Sequence, residues 1–204
     1  VVKGVVRFNP IWIFTGIGLL LILTGCSLLR MEPEKPPSVV DRQALYRIHD
    51  WNIQGRIAVR SKQESWHAGL NWSHNPIKDS LQIAGPFGQG AVRVAITKNF
   101  IRVTHAGGGV EESANPNKLL YSLLGIEIPL EELQYWVLGL ASPKSVFDAD
   151  YDSSGWLRFL KQLGWTINMI EYQRVDNWVL PRKLKISKAD ARLILVIDEW
   201  GING

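Results

Sequence analysis

Four histidines, nineteen carboxylates and one cysteine are the groups in this 204-residue sequence best equipped to hold a metal or break a bond. His49, His67, His74 and His105 are scattered, with no H-x-x-x-H or H-x-x-E-H spacing, so zinc hydrolysis lacks its ligand set. Polar-face or turn positions account for all four. Asp148, Asp150 and Asp152 begin like a calcium loop, but Ser153 stands where the sharp turn needs glycine and Phe159 where a bidentate glutamate is needed. The run Gly85-Pro86-Phe87-Gly88-Gln89-Gly90 has the glycines of a phosphate loop without its Lys-Ser/Thr, and the residues after it alternate as a strand where a nucleotide would need a helix N-terminus. No serine lies in G-x-S-x-G. The expectation is a protein without catalytic residues, metal or cofactor.

The cysteine has a different kind of chemistry. Lys3 and Arg7 precede an apolar stretch from Ile11 to Leu23, no acid occurs before Glu32, and the run ends in Leu23-Thr24-Gly25-Cys26. That is the layout of a secretory signal, and the tetrapeptide resembles a bacterial lipobox, whose cysteine thiol receives a diacylglyceryl group before cleavage. A short membrane anchor with an incidental cysteine is the competing reading. Residues 1–25 are thus expected to be a lipoprotein signal peptide, and 26–38, with three prolines, a lipidated tether. Several acyl chains on Cys26 would give stable attachment. Ser27 stands where aspartate would resemble the inner-membrane retention signal, which favours the outer membrane.

Removing the signal changes the charge argument. The whole chain carries +4, but residues 26–204 hold 21 basic and 19 acidic groups, dispersed among one another, which argues against a nucleic-acid partner. With a single cysteine, no internal disulfide can form, so the fold rests on its core.

Residues 39–204 read as one domain. Val39–His49 has a short amphipathic pattern, after which the period changes to two: Ile53, Ile57 and Val59, then Trp66, Ala68, Leu70 and Trp72, alternate with polar neighbours. Leu81 and Ile83, Val92 to Ile96, and Phe100 to Thr104 continue the series, which predicts an antiparallel meander curling into a sandwich or barrel. Asn115-Pro116 predicts a helix with Leu119, Leu120, Leu123 and Leu124 as its stripe, ended by Gly125. Pro129 opens a second, with Leu130, Leu133, Trp136 and Val137 on one side. The pairs Glu111-Glu112 and Glu131-Glu132 read as solvated faces. Strand patterns return at Trp156–Lys161, Trp165–Tyr172, Arg182–Ile186 and Arg192–Asp198. A curved sheet, mainly β with helices on its concave side, satisfies both periods.

Two features exceed what packing requires. Eight of the nine tryptophans follow Cys26, which suits either a dense core or a pocket for acyl chains. Phe87 lies between Pro86 and Gly88, where a turn either projects the ring into solvent or lets it fold back on the sheet.

The run Ile128-Pro129-Leu130 with Leu133, Trp136, Leu138, Gly139 and Leu140, the Gly55-Arg56 strand, the Gly85-Pro86-Phe87-Gly88 turn and the lipobox together resemble the outer-membrane lipoprotein LolB family. The resemblance implies an incomplete antiparallel β-barrel capped by helices around a hydrophobic cavity, similar to the periplasmic carrier LolA. It implies a lipid-anchored, periplasm-facing monomer that accepts acylated lipoproteins from LolA and places them in outer-membrane lipid. Phe87, with Pro86 and Gly88, occupies the position of the family's membrane-insertion loop, although the family often has leucine at the tip and asparagine where Gly85 stands. Trp66, Leu70, Trp72, Leu81, Ile83, Leu119, Leu123, Leu133 and Trp136 are the expected acyl-chain contacts. The other reading is a lipid-anchored, lipocalin-like module for a small hydrophobic ligand.

Overall fold

The computed structural model describes residues 40–62 and 64–203. The expected signal peptide, Cys26 and the tether lie outside the described residues.

Alternation of apolar and polar side chains becomes an 11-stranded antiparallel sheet. Its strands are β1 (Trp51–Arg60), β2 (Ser65–His74), β3 (Asp79–Ala84), β4 (Val92–Thr97), β5 (Phe100–His105) and β6 (Val110–Ser113), then β7 (Phe147–Tyr151), β8 (Leu157–Gln162), β9 (Trp165–Val175), β10 (Trp178–Lys188) and β11 (Ala191–Ile202). The spatial order is β6-β5-β4-β3-β2-β1-β11-β10-β9-β8-β7. Two meanders are therefore joined by the β1–β11 pair, and β6 and β7 are left as the edges. The sheet does not close on itself.

The chain between those edges supplies the missing layer. Helices α2 (Pro116–Leu124) and α3 (Leu130–Val137) bury Leu120, Leu124, Leu133, Trp136 and Val137 in the same core as the strands' inward residues. Asn115 Oδ1 accepts the Lys118 N–H at 3.1 Å, Pro116 occupies the first turn, and Gly125 ends α2 at φ 69°, a left-handed geometry that favours glycine. A short helix α1 (Arg42–Tyr46) meets α3 through the rings of Tyr46 and Tyr135, 6.2 Å apart, and the Tyr46 hydroxyl donates to the Ala141 carbonyl beyond α3 at 2.7 Å.

The structure amends the sequence reading in three places. The first helix is shorter than the 39–49 pattern, with Val39 outside the described residues. Glu111 and Glu112 belong to a strand, β6, where they face His105 and Arg102 of β5. His74 sits on the inner face, with 14% of its side chain exposed, because Asp79 offers its ring a carboxylate.

One register feature fixes the junction of the two meanders. Gln54 pairs with Glu199 but Gly55 with Ile197, so Asp198 bulges from β11, and Arg56 holds it with two bonds of 2.9 and 3.1 Å. A Cβ on Gly55 would stand 2.0 Å from the Val196 carbonyl oxygen. Gly55→Ala is accordingly expected to lower stability by about 3 kcal/mol, read as a lower urea midpoint of unfolding; an unchanged midpoint would show that the junction can yield.

Candidate functional site

In an antiparallel meander, alternate turns share a rim. The turns β1–β2, β3–β4, β5–β6, β8–β9 and β10–β11 lie at one end of the strands and the others at the opposite end. The two ends differ in packing.

The end where β1 begins is sealed by aromatic rings. Trp51 packs edge-on against Trp72 and Trp200 at 4.8 and 5.8 Å between centroids, and His74 lies 5.1 Å away. Trp156 meets Tyr172 at 5.3 Å. Burial pushes the Tyr172 phenol up, so the group stays protonated and donates to the Leu157 carbonyl at 2.6 Å. Four of the eight tryptophans after Cys26 are spent here as a plug, while Trp136 and Trp165 meet at 6.4 Å toward the other end.

Half-buried apolar groups stand at both ends: Trp178, Trp200 and Ile202 at the first, and Trp66, Ile83 and Val92 at the other, with Leu81, Leu119 and Leu123 partly buried beside the same core. Of the expected acyl-chain contacts, Trp66, Leu81, Ile83, Leu119 and Leu123 are thus half-buried, whereas Leu70, Trp72, Leu133 and Trp136 are buried outright. A cleft between α1, α3 and Trp51 measures ≈ 40 Å³, room for a few waters at most. Leu120, Leu124, Leu133, Trp136 and Val137 of the helices pack into the same core as the strands, so the helices fill the inner face.

Two buried polar nodes hold that filling in place. Asp79 accepts from Trp72 Nε1 at 2.8 Å, shares a 2.8 Å bond with His74 Nδ1, and accepts from Gln134 Nε2 of α3 at 2.8 Å. Gln162 accepts from Trp136 Nε1 and the Ser142 N–H, both at 2.9 Å, and donates to the carbonyls of Ser142 and Ser145 at 2.7 and 3.1 Å. Sequence reasoning missed Asp79, Gln134 and Gln162. A signal existed for two of them: Asp79 shares the inward parity of Leu81 and Ile83, and Gln162 is a polar residue at a buried strand position beside Leu160.

Phe87 is 102% exposed at the β3–β4 turn, on the rim beside Ile83 and Val92. The loop beneath it is closed by Gly85 N–H to the Gln89 carbonyl at 2.9 Å and Gly88 N–H to the Gly85 carbonyl at 3.0 Å. The ring projects rather than folds back. Its backbone is left-handed, φ 59° and ψ 22°, a conformation costing a non-glycine residue roughly 1–2 kcal/mol. Exposure forgoes a further 2 kcal/mol or so of burial.

An open antiparallel sheet with helices on its inner face and an apolar tip on one rim defines a class of fold. A LolA superfamily protein from Nitrosomonas europaea superposes with a TM-score of 0.50 over 81% of this chain and 95% of its own, at 8% identity. The two chains share this fold. The family described as "Outer membrane lipoprotein LolB" matches residues 49–200. The chain is 36% identical over 188 residues to an outer-membrane lipoprotein LolB of Nitrosococcus oceani, covering 89% of this chain and 92% of that one. It is 31% identical over 182 residues to the LolB of a Marinomonas species, covering 89% and 93%. The chain belongs to the outer-membrane lipoprotein LolB family.

The Gln162 node yields a direct test. Gln162→Leu would strand the indole N–H of Trp136 and the backbone groups of Ser142 in the core, at a cost of about 3 kcal/mol. Urea unfolding should report the loss; a near-neutral effect would mean that water replaces the amide.

Proposed function

We propose that this protein accepts acylated lipoproteins from the periplasmic carrier LolA and inserts them into the outer membrane, without nucleotide. In this reading Cys26 carries the lipid anchor, residues 26–38 are the tether, and residues 39–204 face the periplasm as a monomer. Cargo acyl chains enter at the rim of Trp66, Leu81, Ile83, Leu119 and Leu123. They reach Leu70, Trp72, Leu133 and Trp136 as the helices give way.

The observation that carries the reading is Phe87. A phenyl ring that is 102% exposed, on a hydrogen-bonded turn and in a strained backbone geometry, gains nothing for the fold and suits partition into lipid. Pro86 and Gly88 flank it and shape that turn. Half-buried Trp66, Ile83 and Val92 stand on the same rim, so tip and proposed entrance lie together. Family membership supports the same role, since the relatives are outer-membrane lipoproteins by name.

A lipocalin-like module that keeps a small hydrophobic ligand would need the apolar interior but neither a carrier nor an exposed tip. The deciding experiment mixes the full chain in vesicles with LolA loaded with a lipoprotein and follows the cargo. Transfer into the vesicles is expected, and its absence would favour the binding module. Phe87→Glu should leave folding and cargo acceptance intact while slowing insertion about tenfold or more. Wild-type delivery by that variant would falsify the role given to the tip.

A further inference from the structure

A second apolar group breaks the surface on the Phe87 rim. Val146 is 94% exposed and Phe147, at the start of edge strand β7, is 49% exposed. Leu163, 46% exposed, occupies the β8–β9 turn, next to Gln162, which pairs with Phe147. Leu163 shares the backbone signature of Phe87: its φ is 52°, left-handed at a turn tip, where glycine or asparagine would be easier. Six strand spacings separate the β3–β4 and β8–β9 turns, about 29 Å along the sheet.

We infer that Val146, Phe147 and Leu163 form a second lipid-contact site, so that the protein meets an anionic bilayer at two points on one rim. The inference rests on the proposed membrane role of that rim. Three observations select lipid as the occupant. The patch lies at the same strand ends as Phe87, on the far side of the sheet's midline. Lys188 stands over it, its Nζ donating to the Leu163 carbonyl at 3.2 Å. Arg60 and Arg192, both exposed, face each other directly across β1 and β11 near this rim, a like-charge pairing that an anionic surface would relieve. The acids nearby are Asp190, held by Lys62 at 2.9 Å, Glu131, held by Lys144 at 2.6 Å, Glu111, bonded to His105 at 2.8 Å, Asp148, opposite Lys161, and Glu64.

The test places a photo-crosslinking benzoylphenylalanine singly at Val146, Phe87 or Ile77 in the full chain reconstituted in phosphatidylethanolamine–phosphatidylglycerol vesicles. Ile77 is the control, since it is 80% exposed at the opposite end of the strands, in the β2–β3 turn. Lipid adducts at 146 well above those at 77 are expected. Adducts at 87 but not at 146 would overturn this inference and leave the proposed function standing. Adducts at 146 but not at 87 would keep the patch and remove the Phe87 tip. Adducts from 146 to the carrier protein instead of lipid would make β7 a docking edge and also overturn it. The double variant V146S/L163N removes apolar surface while placing asparagine where φ is positive, so it should fold normally. It is expected to slow cargo delivery about fivefold; unchanged delivery counts against the site.

Discussion

Everything in this fold turns on how α3 is held inside a sheet that does not close. Gln134 and Trp136 are two residues apart on α3 and so point about 200° apart around its axis. One bonds Asp79 on β3 and the other Gln162 on β8, in opposite halves of the sheet. The helix thus bridges the two meanders across their open side, where strand pairing would otherwise have to. Both anchors are buried polar groups with their bonds filled, so removing a partner is costly while the intact arrangement specifies one position for the helix. α2, by contrast, rests on its apolar stripe, with Leu120 and Leu124 buried and Leu119 and Leu123 only partly so. The interior therefore has a pinned helix, α3, and a softer one, α2.

That asymmetry explains where the tryptophans go. A pocket for acyl chains and a dense core make the same demand on composition, and the sequence leaves the choice open. The structure concentrates Trp51, Trp72 and Trp200 at one end of the strands, ring against ring. Such edge-on contacts are directional and add to the area buried, so this end is the worst place to admit a flexible ligand. In the proposed function, entry falls to the end with Trp66, Ile83 and Val92.

What could be read from the sequence was what depends on near neighbours. Period-two alternation located most strands, Asn115-Pro116 and Gly125 bracketed α2, and Pro86-Phe87-Gly88 marked a turn with an outward ring as one of its two options. What escaped depends on partners distant in the chain. β6 carries two adjacent glutamates and pairs as a strand with β5, where Arg102 holds Glu112 and the His105 ring bonds Glu111. β7 alternates aspartates with Ala149 and Tyr151, a pattern that imitates a cation loop until β8 is beside it. Gln134 and Asp79 are separated by 55 positions and Trp136 and Gln162 by 26, so neither bond has a local signature. The bulge at Asp198 exists only as a relation between β1 and β11, with Gly55 as its one visible trace.

For the proposed transfer, the filled interior bears on how the cycle could run without a nucleotide. An acyl chain of about sixteen carbons gains roughly 12 kcal/mol when its methylenes leave water. Leu120 and Leu124 of α2 contribute about 1.5–3 kcal/mol each by staying buried. A single chain therefore outweighs the contacts that a shifting α2 gives up, and a closed interior does not bar the ligand. The same closure favours release. Once the bilayer offers the chain an equivalent apolar environment, the protein regains the contacts of α2 and the lipid loses nothing, so the cycle runs toward the membrane. A permanently open cavity would hold its cargo with no such counterweight. Self-closure thus makes the protein a weaker final site than the membrane, as the proposed transfer requires.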